Sequence, residues 1–157
     1  MKLREYKPED GNEVIKMFYD TIHSVSSADY TAEQLDAWAP KNIESPELRD
    51  RLSNTYSVVV EQDGLIIGFG NEHGVGYFDC LYTHKDYQRI GVASLIADDI
   101  EGYFFHQGID TITTDASITA KPFFEKRGYV VLREQIVESR GQHLTNFKMQ
   151  RTVKHEE

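Results

Sequence analysis

The chain has 157 residues with 26 acidic against 17 basic side chains, a formal net charge of −9, and that length matches one domain, 1–157, with a core that removes roughly 68–70% of the unfolded surface. The acidic balance argues against the basic face that nucleic acid or an anionic membrane surface selects, and is compatible with a cationic or amine ligand. One cysteine, Cys80, excludes an internal disulfide and a multi-cysteine zinc site, and 39% hydrophobic with 11% aromatic residues excludes wholesale disorder.

Leu3 to Tyr6 reads as a short strand, broken by Pro8-Glu9-Asp10-Gly11. Val14, Ile15, Phe18 and Ile22 recur at helical spacing, predicting a helix from about Asn12 to His23. Thr31 to Trp38 is a second helical piece, with Thr31 at the N-cap, Gln34 completing a capping box and Pro40 ending it. Ser45-Pro46 opens a third, with Leu48 and Leu52 on its apolar side. The period then changes. Tyr56 to Glu61 is rich in β-branched residues, Gln62-Asp63-Gly64 is a turn, and Leu65 to Gly70 is the partner strand of a hairpin. Val75 to Thr83 forms the next strand. Gln88 to about Gln107 is the strongest helix, closed by Gly108. Thr111 to Thr114 is a strand, Thr119 to Lys126 a short helix ended by Gly128, and Tyr129 to Leu132 and His143 to Met149 are two more strands. The tail Lys154 to Glu157 is expected to fray. This order predicts an α/β (α+β) fold, a mixed sheet of about seven strands with helices on its faces.

The turn into the strong helix carries Gln88-x-x-Gly91-x-Ala93. Small residues let a ligand approach the backbone. The first helical amides lack internal partners and, with the helix dipole, attract an anion such as a diphosphate. Arg89 adds a charge. The alternative is that Gly91 and Ala93 only permit tight packing of helix on sheet. The nucleotide fingerprints Gly-x-Gly-x-x-Gly and Gly-x-x-x-x-Gly-Lys-Ser/Thr are absent.

Gln88-Arg89-Ile90-Gly91-Val92-Ala93, after a strand and opening a helix, resembles the acyl-CoA motif of the GNAT acyltransferase superfamily. A second match follows in order, Ser117-Ile118-Thr119-Ala120-Lys121-Pro122-Phe123-Phe124-Glu125-Lys126-Arg127-Gly128-Tyr129. The resemblance covers about Tyr56 to Tyr129 by motif and most of the chain by element order. It implies a mostly antiparallel sheet and an N-acetyltransferase using acetyl-CoA, with a primary amine attacking directly in a ternary complex. It implies that Leu81, Tyr82 and Thr83 offer backbone to the pantetheine arm and that the amides of Arg89, Ile90, Gly91, Val92, Ala93 and Ser94 hold the diphosphate. Ser117 stands where the family often has an Asn that contacts the cofactor. Phe124 stands where many members carry a Tyr that protonates the leaving thiolate, and Phe has no proton to give. Another hydroxyl, a water or the Cys80 thiol is left as the substitute.

An amine is protonated at neutral pH, so direct transfer needs a base. Asp79 is the first candidate, on the strand where the family places its base, although Tyr77 occupies the aligned position; alternation sets both on one face. Glu72 and His73, at the end of the preceding strand, come next. His23, Tyr30 and Trp38 lie in the helical region that walls the acceptor site in the family, where Trp38 and Tyr30 are able to pack on an amine or its stem. Cys80 reads as a small buried hydrophobe rather than an acyl-enzyme nucleophile. The six His show no metal-ligand spacing, so no metal is expected. The N-terminus lacks an apolar signal core and no run approaches the roughly 20 apolar residues of a membrane span, so the expectation is a cytoplasmic monomer or homodimer with no membrane or nucleic-acid partner. The rival reading is a non-catalytic acyl-CoA-binding module or interaction protein on the same fold.

Overall fold

The computed structural model describes residues 1–41 and 46–152. Its elements, in chain order, are β1 (Lys2–Glu5), α1 (Gly11–Val25), α2 (Ala32–Trp38), α3 (Pro46–Asn54), β2 (Ser57–Gln62), β3 (Leu65–His73), β4 (Tyr77–Thr83), α4 (Val92–His106), β5 (Thr111–Ser117), α5 (Lys121–Lys126), β6 (Val130–Ser139) and β7 (Gln142–Thr152). The seven strands form one sheet in the order β1-β2-β3-β4-β5-β7-β6. Every neighbouring pair is antiparallel except β4 with β5. The expected fold is therefore observed. The proposed Ser45 cap and the tail from Lys154 lie outside the described residues.

Helices cover both faces. On one, Ile96, Ile100 and Phe104 of α4 and Phe124 of α5 pack on Val58, Ile67, Phe78, Ile112 and Met149. On the other, Val14 and Met17 of α1 and Leu48 and Leu52 of α3 pack on Val59, Phe69 and Cys80. Each large apolar side chain so buried contributes about 1.5–3 kcal/mol. Two glycines of β3 set how closely α4 approaches. A Cβ on Gly68 would lie 2.5 Å from Val92 Cγ1, and one on Gly70 would lie 2.7 Å from Ile96 Cγ2 and 2.8 Å from the Cys80 carbonyl oxygen.

Several element boundaries differ from the sequence expectation. Helix α1 runs to Val25, β3 to His73 and β5 to Ser117, and α5 begins at Lys121. The strong helix begins at Val92, not Gln88, because Arg89 (φ 62°) and Gly91 (φ 94°) are left-handed and no helix runs through them. The preceding strand starts at Tyr77 because Gly74 and Gly76 form a left-handed turn before it. The last two strands extend toward each other until only Arg140-Gly141 joins them, both at positive φ as a tight hairpin turn requires. The capping box at α2 forms as expected: Gln34 N–H donates to Thr31 Oγ1 at 3.2 Å, and Thr31 N–H to Gln34 Oε1 at 2.8 Å.

Candidate active site

Strands β4 and β5 pair only at Tyr77 with Thr113 and Phe78 with Thr114, and beyond that the ladder between them ends. Peptide groups of β4 that face β5 past Phe78 thus have no strand partner there, and a ligand or water must satisfy them. The strand is also bulged at this level. Asn71 pairs with Cys80 and Glu72 with Phe78, so Asp79 is an extra residue. A bulge re-aims side chains. Phe78 and Leu81, three apart, accordingly contact the core under α4, while Cys80 and Tyr82 contact the core under α1. Asn71 fixes the bulge: its Oδ1 accepts the Cys80 N–H at 2.9 Å, and its Nδ2 donates to Asp79 Oδ2 and to Thr55 Oγ1, each at 3.0 Å.

The opening is a cleft lined by Asp79, Leu81 and Tyr82 of β4, by Thr114 to Ser117 of β5, by Phe124 of α5 and by Trp38 of α2. Two carboxylates face it. The Asp79 side chain is 12% exposed, with Arg51 Nε 3.6 Å from its Oδ2. Asp115 accepts from the Tyr77 hydroxyl at 2.7 Å and from Gln135 Nε2 at 2.6 Å. Burial, followed by the Cys80 and Asp79 charges, raises the Tyr82 hydroxyl well above the ordinary tyrosine range, against a lowering hydrogen bond from Trp38. Burial, with Asp79 next, pushes the Cys80 thiol up to about 12. That thiol is held protonated and is not among the cleft-lining side chains, so it has no place as a nucleophile here.

From the cleft β4 runs into the loop 84–91 and then α4. Gln88 braces this loop, its Nε2 donating to the carbonyls of Thr83 at 2.7 Å and His84 at 3.2 Å. The first helical bond of α4 is Leu95 N–H to Gly91 C=O at 3.0 Å. Among the described residues, the amides from Arg89 to Ser94 therefore have no backbone acceptor. Gly91 is exposed, and nothing lies within 4 Å of where its Cβ would stand. The packing explanation for Gly91 fails on this point. Its requirement is the left-handed φ and the open space over the amides, while close packing of α4 rests on Gly68 and Gly70. A helix N-terminus this exposed and unpaired suits an anion.

Of the remaining candidates, Glu72, His73, His23 and Tyr30 are not among the cleft-lining residues, whereas Trp38, Ser117 and Phe124 are. Glu72, opposite Phe78, is carried to the α4 face; it is buried, its Oε2 has no hydrogen-bond partner, and burial raises its carboxyl above the ordinary value. His73 is exposed and edge-on to Tyr77, with ring centres 6.0 Å apart. His23 Nε2 bonds the Ala39 carbonyl at 2.7 Å and its ring stacks on Tyr19. Tyr30 is buried, donating to the Thr145 carbonyl at 2.6 Å and accepting from the Ile118 N–H at 2.9 Å. Neither His23 nor Tyr30 lines the cleft, whereas Trp38 does. Ser117 lines it too, but its Oγ accepts the Ala120 N–H at 3.0 Å. Phe124 is buried, edge-on to Phe78 and to Tyr129.

Sequence reasoning missed Asp115, Arg51 and Asn71. Asp115 had a usable signal: alternation along Thr111 to Ser117 buries Ile112, Thr114 and Ala116, setting Asp115 beside Ser117 on the other face. A bulge leaves no periodic trace, so Asn71 had none.

Comparison with known proteins agrees with this geometry. Residues 26–151 match the model of the acetyltransferase (GNAT) domain. The chain is 32% identical to the uncharacterized N-acetyltransferase YafP of Escherichia coli, over 99% of this chain and 98% of that one. Among solved structures, a GCN5-related N-acetyltransferase from Rhodopseudomonas palustris superposes with a TM-score of 0.93 at 32% identity, covering 97% of this chain and 95% of that one. The PaiA N-acetyltransferase of Thermoplasma acidophilum, solved with coenzyme A, shares the fold at a TM-score of 0.76 and 15% identity, over 97% and 98% of the two chains.

Proposed function

We propose that this chain, an acyltransferase that belongs to the GNAT acetyltransferase family, transfers an acetyl group from acetyl-CoA to a primary amine by direct attack in a ternary complex. The observation that carries the reading is the parting of β4 from β5 beside a row of free amides at the start of α4. In this reading the amides of Arg89, Ile90, Gly91, Val92, Ala93 and Ser94 hold the diphosphate, with Gln88 bracing their loop. The β4 edge at Leu81, Tyr82 and Thr83 runs along the pantetheine arm, and Ser117 and Phe124 close its far wall. The Leu81 region donates an amide to the thioester oxygen as negative charge builds there.

Asp79 takes the amine's proton. It lies in the cleft with Asn71 bonded at its Oδ2, whereas both oxygens of Asp115 are bonded, to Tyr77 and to Gln135. Asp115 then serves to attract the ammonium form, in keeping with the acidic chain. Trp38 supplies an aromatic wall to the acceptor. Most of the acceleration comes from positioning and from fixed dipoles. The chain works in the cytoplasm as a monomer or homodimer, without nucleic acid, membrane or metal.

A panel of amines incubated with acetyl-CoA, read by release of free coenzyme A, tests the reading. Amine-dependent release is the expected result. Phe124 in place of a tyrosine favours a second reading, a non-catalytic acyl-CoA-binding module. Tight binding of acetyl-CoA with no release on any amine would establish that reading instead.

A further inference from the structure

We propose that Tyr82 donates the hydrogen bond that steadies the departing sulfur of coenzyme A, a role that rests on the acetyl-transfer reading above. The helix position from which the family resemblance would take a donor is Phe124, whose ring has no proton to give. Of the other polar hydrogens around the cleft, those of Thr114 and Tyr77 are committed and that of Cys80 lies outside its lining. Thr114 Oγ1 donates to the Phe78 carbonyl at 2.8 Å. The Tyr77 hydroxyl donates to Asp115 at 2.7 Å. Cys80 is buried and is not among the cleft-lining side chains. Ser117 Oγ accepts the Ala120 N–H, which leaves its own proton as the rival donor that a Ser117→Ala variant separates from Tyr82.

Tyr82 shares neither the commitment of Thr114 and Tyr77 nor the exclusion of Cys80 from the cleft lining. It lines the same cleft as Phe124. Its ring is fixed by Phe69 at 5.3 Å and edge-on by Phe18 at 5.1 Å between centres. The Trp38 ring centre lies 6.5 Å away, and an indole N–H only donates, so that neighbour takes no proton from Tyr82. Burial keeps that hydroxyl protonated at any working pH. It is therefore a hydrogen-bond donor and not a group that titrates during turnover.

The step balances as follows. The amine lone pair forms the N–C bond, and the C–S pair departs on sulfur. The surplus amine proton passes to Asp79 and then to solvent. Sulfur leaves as thiolate, bonded by the intact Tyr82 O–H, and takes a proton from solvent on release. An ordinary thiol near pKa 8.5 is a fair leaving group, so the donor speeds the step without being indispensable.

Tyr82→Phe removes the hydroxyl and keeps the ring. The expected result is a fall in kcat of roughly 10- to 100-fold, the usual range for a hydrogen bond to a charged group, with KM for acetyl-CoA nearly unchanged. Tyr82→Phe combined with Phe124→Tyr, which returns a hydroxyl to the cleft lining, recovers part of the loss. A second measurement needs no acceptor amine. Coenzyme A bound to the protein is titrated by the ultraviolet absorbance of its thiolate. The thiolate forms at lower pH on the wild-type protein than on Tyr82→Phe, because the donor favours the charged form. An unchanged kcat, or a thiolate titration that moves with Ser117→Ala and not with Tyr82→Phe, would overturn the assignment. A wild-type protein that releases no coenzyme A on any amine would instead refute the acetyl-transfer reading, leaving the binary titration to decide Tyr82 separately.

Discussion

Asp79 owes its position to a single inserted residue in β4. Asn71 bonds one oxygen and Arg51 stands beside it. Asp79→Asn keeps the shape and removes the proton acceptor, so kcat/KM at neutral pH falls roughly 10²–10⁴-fold. The loss shrinks as pH rises toward the amine's own pKa, near 10.4 for a lysine-like amine, because more acceptor then arrives deprotonated; a pH series of both proteins checks this. At Gly91 the demand is conformational. Gly91→Leu forces a β-carbon into a left-handed position at φ 94° and fills the space over the free amides. KM for acetyl-CoA is expected to rise at least tenfold (about 1.4 kcal/mol) with circular dichroism unchanged. An unaltered KM would separate the loop from diphosphate binding. At this scale, Asp79 and Gly91, drawn from strand alternation and motif spacing, sit at the cleft or the loop that serves it. His23, Tyr30 and Trp38 were all drawn from the helical region that the resemblance sets against the acceptor; Trp38 lines the cleft, whereas the His23 imidazole and the Tyr30 hydroxyl are bonded to backbone carbonyls.

Elements were readable wherever one face is apolar. Helix α1, strands β2 and β3 and the body of α4 follow their periods, because burial of one face is what fixes them. What escaped were events that interrupt a period. The bulge at Asp79 and the unwound start of α4 depend on backbone geometry set by Asn71, Arg89 and Gly91, not on which face is apolar. The same holds for the close seating of α4. Gly68 and Gly70 look like weak points of β3, yet they let the helix approach the sheet that its N-terminus overlooks. Gly70→Ala places a methyl against Ile96 and a backbone carbonyl, so about 1–3 kcal/mol of stability is lost, measurable by urea unfolding. A neutral result would mean that α4 shifts without cost.

Across the whole molecule, one buried carboxylate ties elements together and another, among the described residues, leaves one oxygen unpaired. Glu101 of α4 is 2% exposed and accepts from Arg127 at 2.5 Å, Arg151 at 2.8 Å and Tyr129 at 2.7 Å, joining α4 to the end of α5 and to β7. Glu72 has an orphan oxygen, and burial lifts its carboxyl above the ordinary 4.5. A carboxyl raised in the folded state favours folding while protonated. Its contribution is present below 4.5 and is lost as pH rises through the raised value. Glu72→Gln therefore raises Tm at neutral pH, and the gain disappears at pH below 4.5; a gain that persists in acid would contradict the burial argument. The most direct test of the whole account follows the acetyl group itself. Acetyl-CoA labelled in its acetyl carbon is mixed with protein and an amine panel, and the products are weighed by mass spectrometry. The account predicts labelled N-acetylamine and free coenzyme A in equal amounts. Label that remains on intact acetyl-CoA with every amine, while the thioester is bound, would contradict it.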